Sequence, residues 1–229
     1  MIYKKYKILF LGRKNDIFSN KFVNFFKKKN VHLHKILLLK HNEKISQKNI
    51  INKKFDFIFS FRSYIILNEK TLNSVKYFSL NFHPGPPEYR GIGCVNFAIY
   101  EKSKKYGLTA HLMDRKVDSG KIIDVKRFRI YEKDSVTSIL NKAYFLQLKQ
   151  FKYVVNKILK NPNNISDLIK KFKNEKWSKK IRTRKMLNNL YKIKKKISKK
   201  KFLLKIRATN TNDFKPYFEI YGKKFYYID

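Results

Sequence analysis

The sequence predicts an α/β fold: a doubly wound, mostly parallel sheet, followed by a small C-terminal α+β extension that ends in a β-hairpin. Three observations carry this. Short apolar runs recur just ahead of turns, Lys7–Leu11 (KILFL) before Gly12 and Phe55–Phe61 (FDFIFSF) before Arg62. Strands that read as near-continuous apolar runs are strands buried on both faces. Segments with helical spacing lie between these runs, as the crossovers of a parallel sheet require. The chain also has material for a sizeable core, since 43% of its 229 residues are hydrophobic, with 20 Phe and 15 Tyr; that excludes a disordered chain.

Taken in order, Lys7–Leu11 is the first strand. Asp16–Lys29 is a helix, with Ile17, Phe22, Val23, Phe25 and Phe26 near helical spacing. Val31–Leu39 is the second strand, Lys44–Asn52 a weak helix or loop, and Phe55–Phe61 the third strand. Glu69–Val75 reads as a short helix, and Tyr77–Phe82 as a fourth strand running into His83-Pro84-Gly85-Pro86-Pro87. Val95–Tyr100 begins a helix, and Gly107–Met113 and Lys121–Phe128 are two further strands. Asp134 is the expected N-cap of a long helix from Ser135 to Lys160, ended by Asn161-Pro162. In the tail, Phe202–Arg207, Tyr217–Ile220 and Lys224–Ile228 read as strands, the last two joined by Tyr221-Gly222. The alternation is Rossmann-like, and it divides the chain into a main domain, 1–162, and an extension, 163–229.

Several classes of protein drop out. No apolar run is long enough to span a bilayer. Met1–Leu11 is basic and lacks both an apolar h-region and a small-residue cleavage site, so a cytoplasmic address is expected. The single Cys94 excludes an internal disulfide framework and a multi-cysteine zinc site. His32, His34 and His41 have no Cys or carboxylate partners at ligand spacing, so no metal site is expected.

The formal charge is +39. It suggests nucleic acid, yet 46 of the 55 basic residues are Lys and only 9 are Arg, spread along a chain rich in Asn, Ile, Phe and Tyr. A nucleic-acid interface favours the planar fork of Arg. The charge is therefore read as a compositional bias that attracts anionic substrates in general, and no nucleic-acid partner is expected.

Chemistry concentrates in two clusters. In the first, Asn81 to Gly91, three prolines and three glycines fall between Pro84 and Gly93 and restrict the backbone to one path. In an extended segment Asn81 and His83 point to the same side. The pair reads first as a structural Asn-x-His at a strand end. The alternative is a carboxamide donor and an imidazole converging on one point, as acyl transfer needs. The second cluster is Thr109–Asp114 followed by Asp118-Ser119-Gly120. Asp118 reads as a turn residue, or as a carboxylate that orients His83. His111, on an alternating strand, reads as a packed structural residue. Gly12 lacks the later glycines of a dinucleotide fingerprint.

Taken together, the ordered stretches Leu80-Asn81-Phe82-His83-Pro84, Tyr89-Arg90-Gly91, Gly107–Asp114 and Val117–Ile123 resemble the folate-dependent formyltransferase family. Its members include methionyl-tRNA, glycinamide ribonucleotide and sugar-nucleotide N-formyltransferases. The resemblance covers Lys7–Phe128. It implies N10-formyltetrahydrofolate as formyl donor, with Asn81, His83 and Asp118 in catalytic positions. It further implies a donor-binding loop at Phe61–Leu67, with Arg62, Ser63, Tyr64 and Ile66, and a second loop with Met113, Asp114 and Val117. Pro84, Gly85, Tyr89, Arg90 and Gly91 fall where the family binds its acceptor.

The sequence departs from the family at Gly85-Pro86-Pro87-Glu88, usually Ser-Leu-Leu-Pro, and Gly12-Arg13-Lys14-Asn15 lacks the small phosphate loop of the glycinamide ribonucleotide enzymes. Only 67 of the 229 residues follow Pro162, few for the barrel and linker of the tRNA enzymes. The stretches Trp177–Lys185 and Lys205–Thr209 resemble the short tails of the sugar enzymes. The expected acceptor is therefore a small primary amine, a dTDP- or UDP-linked amino sugar, with the aromatic hairpin as a homodimer surface. The alternatives are an enzyme acting on tRNA, a basic binding module without catalysis, and a hydrolase of the folate donor.

Overall fold

The computed structural model describes residues 6–29, 33–41 and 43–228. His32 and the first two residues of the expected second strand, Val31 and His32, lie outside them. The elements follow in the order β1 (Ile8–Arg13), α1 (Ile17–Lys28), β2 (Leu33–Leu39), α2 (Lys48–Ile51), β3 (Phe57–Phe61), α3 (Glu69–Asn73) and β4 (Phe78–His83). Then come β5 (Arg90–Gly91), α4 (Cys94–Tyr100), β6 (Lys105–Leu112), β7 (Ile122–Arg129), α5 (Val136–Lys160) and α6 (Asn164–Lys171). The chain ends with β8 (Ile181–Arg182), α7 (Arg184–Tyr191), α8 (Lys199–Thr209), β9 (Tyr217–Ile220) and β10 (Lys223–Tyr226).

Six strands form one sheet in the order β2-β1-β3-β4-β6-β7. The first four run parallel, and β6 runs antiparallel to β4. This is the mostly parallel α/β sheet expected from the apolar runs. The period of two along each strand explains the two layers. On β1, Ile8 and Phe10 face a core that also holds α1, α5 and α6, while Leu9 and Leu11 face a second core with Ile50 and Leu67. Likewise Phe57, Phe59 and Phe61 of β3 join the first core and Ile58 the second.

The first core is aromatic. Phe151 of α5 is fully buried and meets the rings of Phe10, Phe22, Phe25, Phe26, Phe59 and Phe82 at centroid distances of 4.2 to 6.4 Å. Edge and tilted contacts of this kind add to the area buried.

The chain forms two compact units: 1–84 with 108–126 and 144–176, and 85–107 with 127–143 and 177–229. They interleave along the chain, as β6, β7 and α5 each continue from one unit into the other. Within the second unit, α4 packs on α8 through Asn96, whose Nδ2 donates to Ala208 O at 2.7 Å.

Two local expectations are corrected. Phe202–Arg207, expected as a strand, is part of helix α8. Ser198 caps it by accepting from the Lys201 amide, and the buried positions Lys205, Ala208 and Thr209 follow the helical period. A short apolar run does not distinguish the two states until its packing partner is known. The N-cap of α5 is supplied by Ser135, whose Oγ accepts from Ser138 N at 3.1 Å, and not by Asp134. Asp134 instead accepts from the Tyr131 amide and the Ser138 hydroxyl.

Truncating the residue on which most of the aromatic core converges is expected to be costly. Phe151→Ala should lower unfolding stability by about 3–5 kcal/mol, read from urea unfolding followed by circular dichroism.

Candidate active site

The site begins with a strand pairing. In the register of β4 against β6, Asn81 lies opposite His111 and His83 opposite Thr109. Directly opposed residues of an antiparallel pair share a face, and alternation along each strand puts all four on the same one. His83 ends β4, at the carboxyl edge of the parallel strands where α/β sheets bind ligands.

Asp118 comes from the turn between β6 and β7. Its backbone adopts a left-handed conformation, φ +49°, which Asp tolerates better than most residues. The turn can close because residue 120 is glycine: a Cβ there would lie 1.9 Å from Leu112 O. The Leu112 amide donates to Lys121 O at 2.9 Å across the same turn.

The resulting geometry is a carboxylate between two imidazoles. His83 Nδ1 is 3.6 Å from Asp118 Oδ2, and His111 Nε2 is 3.5 Å from Asp118 Oδ1. Both separations are longer than a normal hydrogen bond. Only 5% of the Asp118 side chain is exposed, so its charge acts in a poorly screened setting. His111 Nδ1 lies 2.7 Å from Leu112 O. A carbonyl only accepts, so Nδ1 carries hydrogen, and in that tautomer Nε2 offers its lone pair. Asn81 Nδ2, 3.2 Å away, donates one hydrogen there. Its second amide hydrogen remains to bind an oxygen on the open side, since Asn81 is partly exposed. Gln147 of α5, fully buried, donates from Nε2 to the backbone O of His83 at 2.8 Å and so fixes the end of β4.

The structure thus brings together Asn81, His83 and Asp118, and adds two residues that the sequence reading missed. His111 was read as a packed strand residue; it is buried, and it also touches both Asn81 and Asp118. Its signal was the register of two strands, which alternation within one strand does not contain. Gln147 sat among the apolar positions of α5, with nothing in the sequence to say that it would meet His83.

The other expected residues fall into two groups. Arg62, Ser63, Tyr64, Ile66, Met113, Asp114, Val117 and Pro84 belong to the first unit with the quartet. Ser63 Oγ accepts from Ile65 N at 3.0 Å, and Asp114 Oδ1 accepts from Arg115 N at 2.7 Å. Ile66 and Val117 are exposed apolar side chains, while Met113 packs against the second core. Gly85, Tyr89, Arg90 and Gly91 belong to the second unit. There β5 pairs with β8, and a Cβ on Gly91 would lie 2.2 Å from Arg182 O. Arg182 chelates Glu101 at 3.0 and 3.1 Å, donates to Glu88 O at 3.0 Å and stacks on Tyr89 at 4.3 Å. The tail therefore holds the Glu88–Gly91 segment. Among the described residues no group of three or more His, Cys, Asp or Glu could hold a metal ion, and no helix is long and apolar enough to cross a membrane.

Residues 42–155 match the family model described as formyl transferase. The chain carries a formyl transferase domain. It is 35% identical over 134 residues to the bifunctional polymyxin resistance protein ArnA of Wigglesworthia glossinidia brevipalpis, a match covering 52% of this chain and 20% of that protein. The chain thus aligns with about a fifth of that relative. Among solved structures, a 4-N formyltransferase from Francisella tularensis superposes with a TM-score of 0.77 at 22% identity, over 98% of this chain and 97% of that one. An N-formyltransferase from Helicobacter canadensis, in complex with folinic acid and dTDP-3-aminofucose, superposes with a TM-score of 0.65 at 20% identity, over 96% and 86%. At these identities the likeness concerns the fold, which extends over the tail as well as over the formyl transferase domain.

The turn that carries Asp118 depends on glycine. Gly120→Ala should leave the far-ultraviolet circular dichroism unchanged while displacing Asp118, seen as loss of the nuclear Overhauser contacts between Asp118 and the two imidazoles. Gln147→Met, close in volume but unable to donate to His83 O, should cost about 1–3 kcal/mol in urea unfolding.

Proposed function

We propose that this protein transfers a formyl group from N10-formyltetrahydrofolate to the primary amine of a nucleotide-linked amino sugar. The observation that carries the reading is the buried Asp118 carboxylate between His83 and His111, with Asn81 on the same face. The formyl transferase domain and the likeness over nearly the whole chain to solved N-formyltransferases, one of them in complex with folinic acid and dTDP-3-aminofucose, support it. The residues present suit the donor. Polar groups that can bind a formyl oxygen stand beside loops whose exposed Ile66 and Val117 would cover an apolar ring.

The donor, when bound, supplies a carbonyl carbon activated for attack. The amine nitrogen bonds to that carbon, and the bond from the carbon to the folate nitrogen breaks. As the amine adds, negative charge gathers on the formyl oxygen. The second Nδ2 hydrogen of Asn81 and a protonated His83 meet that charge, and both are set in place beforehand by β4, His111 and Gln147, so little reorganisation is needed. Asp118 holds the imidazolium charge and helps relay the amine proton, through water, to the departing folate nitrogen. Pro84, Gly85, Tyr89, Arg90 and Gly91 are assigned to the acceptor, and Arg62 to Ile66 with Met113 to Val117 to the donor. A cytoplasmic reaction belongs to the same reading, as does a homodimer formed through β9 and β10, whose Phe225 and Tyr226 are exposed on an unprotected sheet edge.

The test is incubation of the purified protein with N10-formyltetrahydrofolate and a panel of dTDP- and UDP-linked amino sugars, with mass spectrometric detection of N-formyl products. Formylation of one sugar nucleotide is expected. Asn81→Ala should lower its kcat/KM about 10²–10³-fold, and Asp118→Asn, which keeps the left-handed turn but loses the charge, should lower kcat with little change in KM. If no sugar nucleotide is formylated, while tRNA binds with a steep salt dependence and its methionyl amine is formylated, the acceptor is tRNA and the sugar reading is wrong.

A further inference from the structure

One residue of the first unit, Arg13, is not absorbed by this chemistry. It lies at the carboxyl ends of β1 and β3. Leu11 of β1 pairs with Ser60 of β3, and Phe61 of β3 pairs with Phe82 of β4. Arg13 and Arg62 therefore come off adjacent strands at one level, and Arg62 follows directly beside the strand that ends in His83.

The charges there do not balance. Asp16 is the N-cap of α1, and its Oδ2 accepts from the Ser19 amide at 2.7 Å and the Ser19 hydroxyl at 2.8 Å. Its Oδ1 is taken by Arg62. Both oxygens are thus engaged, one by the helix N-terminus and one by Arg62, which leaves neither for Arg13. Arg13 forms no ion pair with a carboxylate among the described residues, and its buried Nε has no hydrogen-bond partner. Burial, and then the nearby Arg62, push the Arg13 guanidinium below the usual arginine value. An arginine held this way at the surface edge of a core is a donor without its acceptor.

Both side chains are also held rigid. Arg13 lies over the Tyr64 ring at 4.3 Å and Arg62 over the Tyr144 ring at 4.3 Å. Stacking occupies one face of each guanidinium; Arg62 directs an N–H to Asp16, while Arg13 keeps its N–H edge, the geometry that binds carboxylate or phosphate. Arg62 additionally adopts a left-handed backbone, φ +52°, a conformation that costs energy in a residue with a Cβ and recurs at ligand sites.

We infer that Arg13, with Arg62 beside it, forms an oxyanion site at the ends of β1 and β3 that takes a phosphate or carboxylate of a charged substrate. The inference uses the formyl-transfer reading only to say which substrate brings the anion: the diphosphate of the acceptor or the glutamate carboxylates of the donor. The abundant surface lysines attract either without selecting it. The stacked arginine supplies the fixed, directional contact.

The test is calorimetric titration at 150 mM salt, where exposed charges are largely screened, of inorganic pyrophosphate, dTDP and 5-formyltetrahydrofolate into the native protein, Arg13→Gln and Arg13→Lys. Losing one charge-assisted contact should weaken binding about 10- to 100-fold in Arg13→Gln. Arg13→Lys, which keeps the charge but not the fork, should recover part of it, and it remains informative if Arg13→Gln fails to fold. Weaker pyrophosphate and dTDP with unchanged folate assigns the anion to the acceptor, and the reverse assigns it to the donor. Unchanged affinity for all three ligands in both variants, or no binding of any of them to the native protein, overturns the site. These outcomes are independent of formylation. A protein that binds the anion through Arg13 but formylates no amine retains this site and loses the function proposed above.

Discussion

The antiparallel register of β4 against β6 is the constraint on which the chemistry depends. It sets Asn81 opposite His111 and His83 opposite Thr109. A slip of one residue would turn His83 and Asn81 to the other face of the sheet. The pairing is held from several sides: by the Met113 amide donating to Ser79 O at 2.8 Å, by the turn that only Gly120 allows to close, and by Gln147 on the backbone of His83. The rest of the site is a consequence. Once His111 is opposite Asn81, and its Nδ1 is committed to Leu112 O, the carboxamide has one hydrogen directed into the protein and one outward.

The same economy of charge recurs across the first unit. Asp118 is shared by His83 and His111, and Asp16 by a helix N-terminus and Arg62. Acidic residues are scarce in a chain with 55 basic and 16 acidic side chains, so each buried carboxylate has more than one partner. Most of the remaining positive charge is lysine in water, where it sets long-range attraction to anions and little else.

Within the second unit, the tail organises the Glu88–Gly91 segment. Arg182 is 4% exposed and bonds to Glu101 and to the backbone of Glu88 while stacking on Tyr89. Arg182 belongs to the tail, and Glu88–Gly91 lies shortly after His83 in the chain. Within that unit the tail thereby supports the Glu88–Gly91 segment. Lys205 has a comparable structural role. Its ammonium donates to the carbonyls of Asn189 and Lys192 at the end of α7, and burial lowers its pKa.

Much of this was legible in the sequence. Continuous apolar runs announced strands buried on both faces, because such strands admit no polar side. Period two put Asn81 and His83 on one side, and the ordered motifs through Asp118 and Gly120 pointed to formyl transfer. Relations between segments far apart in the chain were not legible, because local patterns do not encode register. His111 became a partner of Asn81 only when β6 paired with β4, Gln147 met His83 only when α5 packed on the sheet, and Phe202–Arg207 became helical because α4 offered a surface for Ala208. By itself the sequence determined the layered α/β fold and singled out three residues of the candidate site, since both follow from local periodicity and from ordered motifs. The tertiary structure alone decided which polar groups saturate one another, and hence that His111 orients Asn81 and that the Arg13 Nε is left without a hydrogen-bond partner, because those pairings depend on distances between strand ends that no single segment contains.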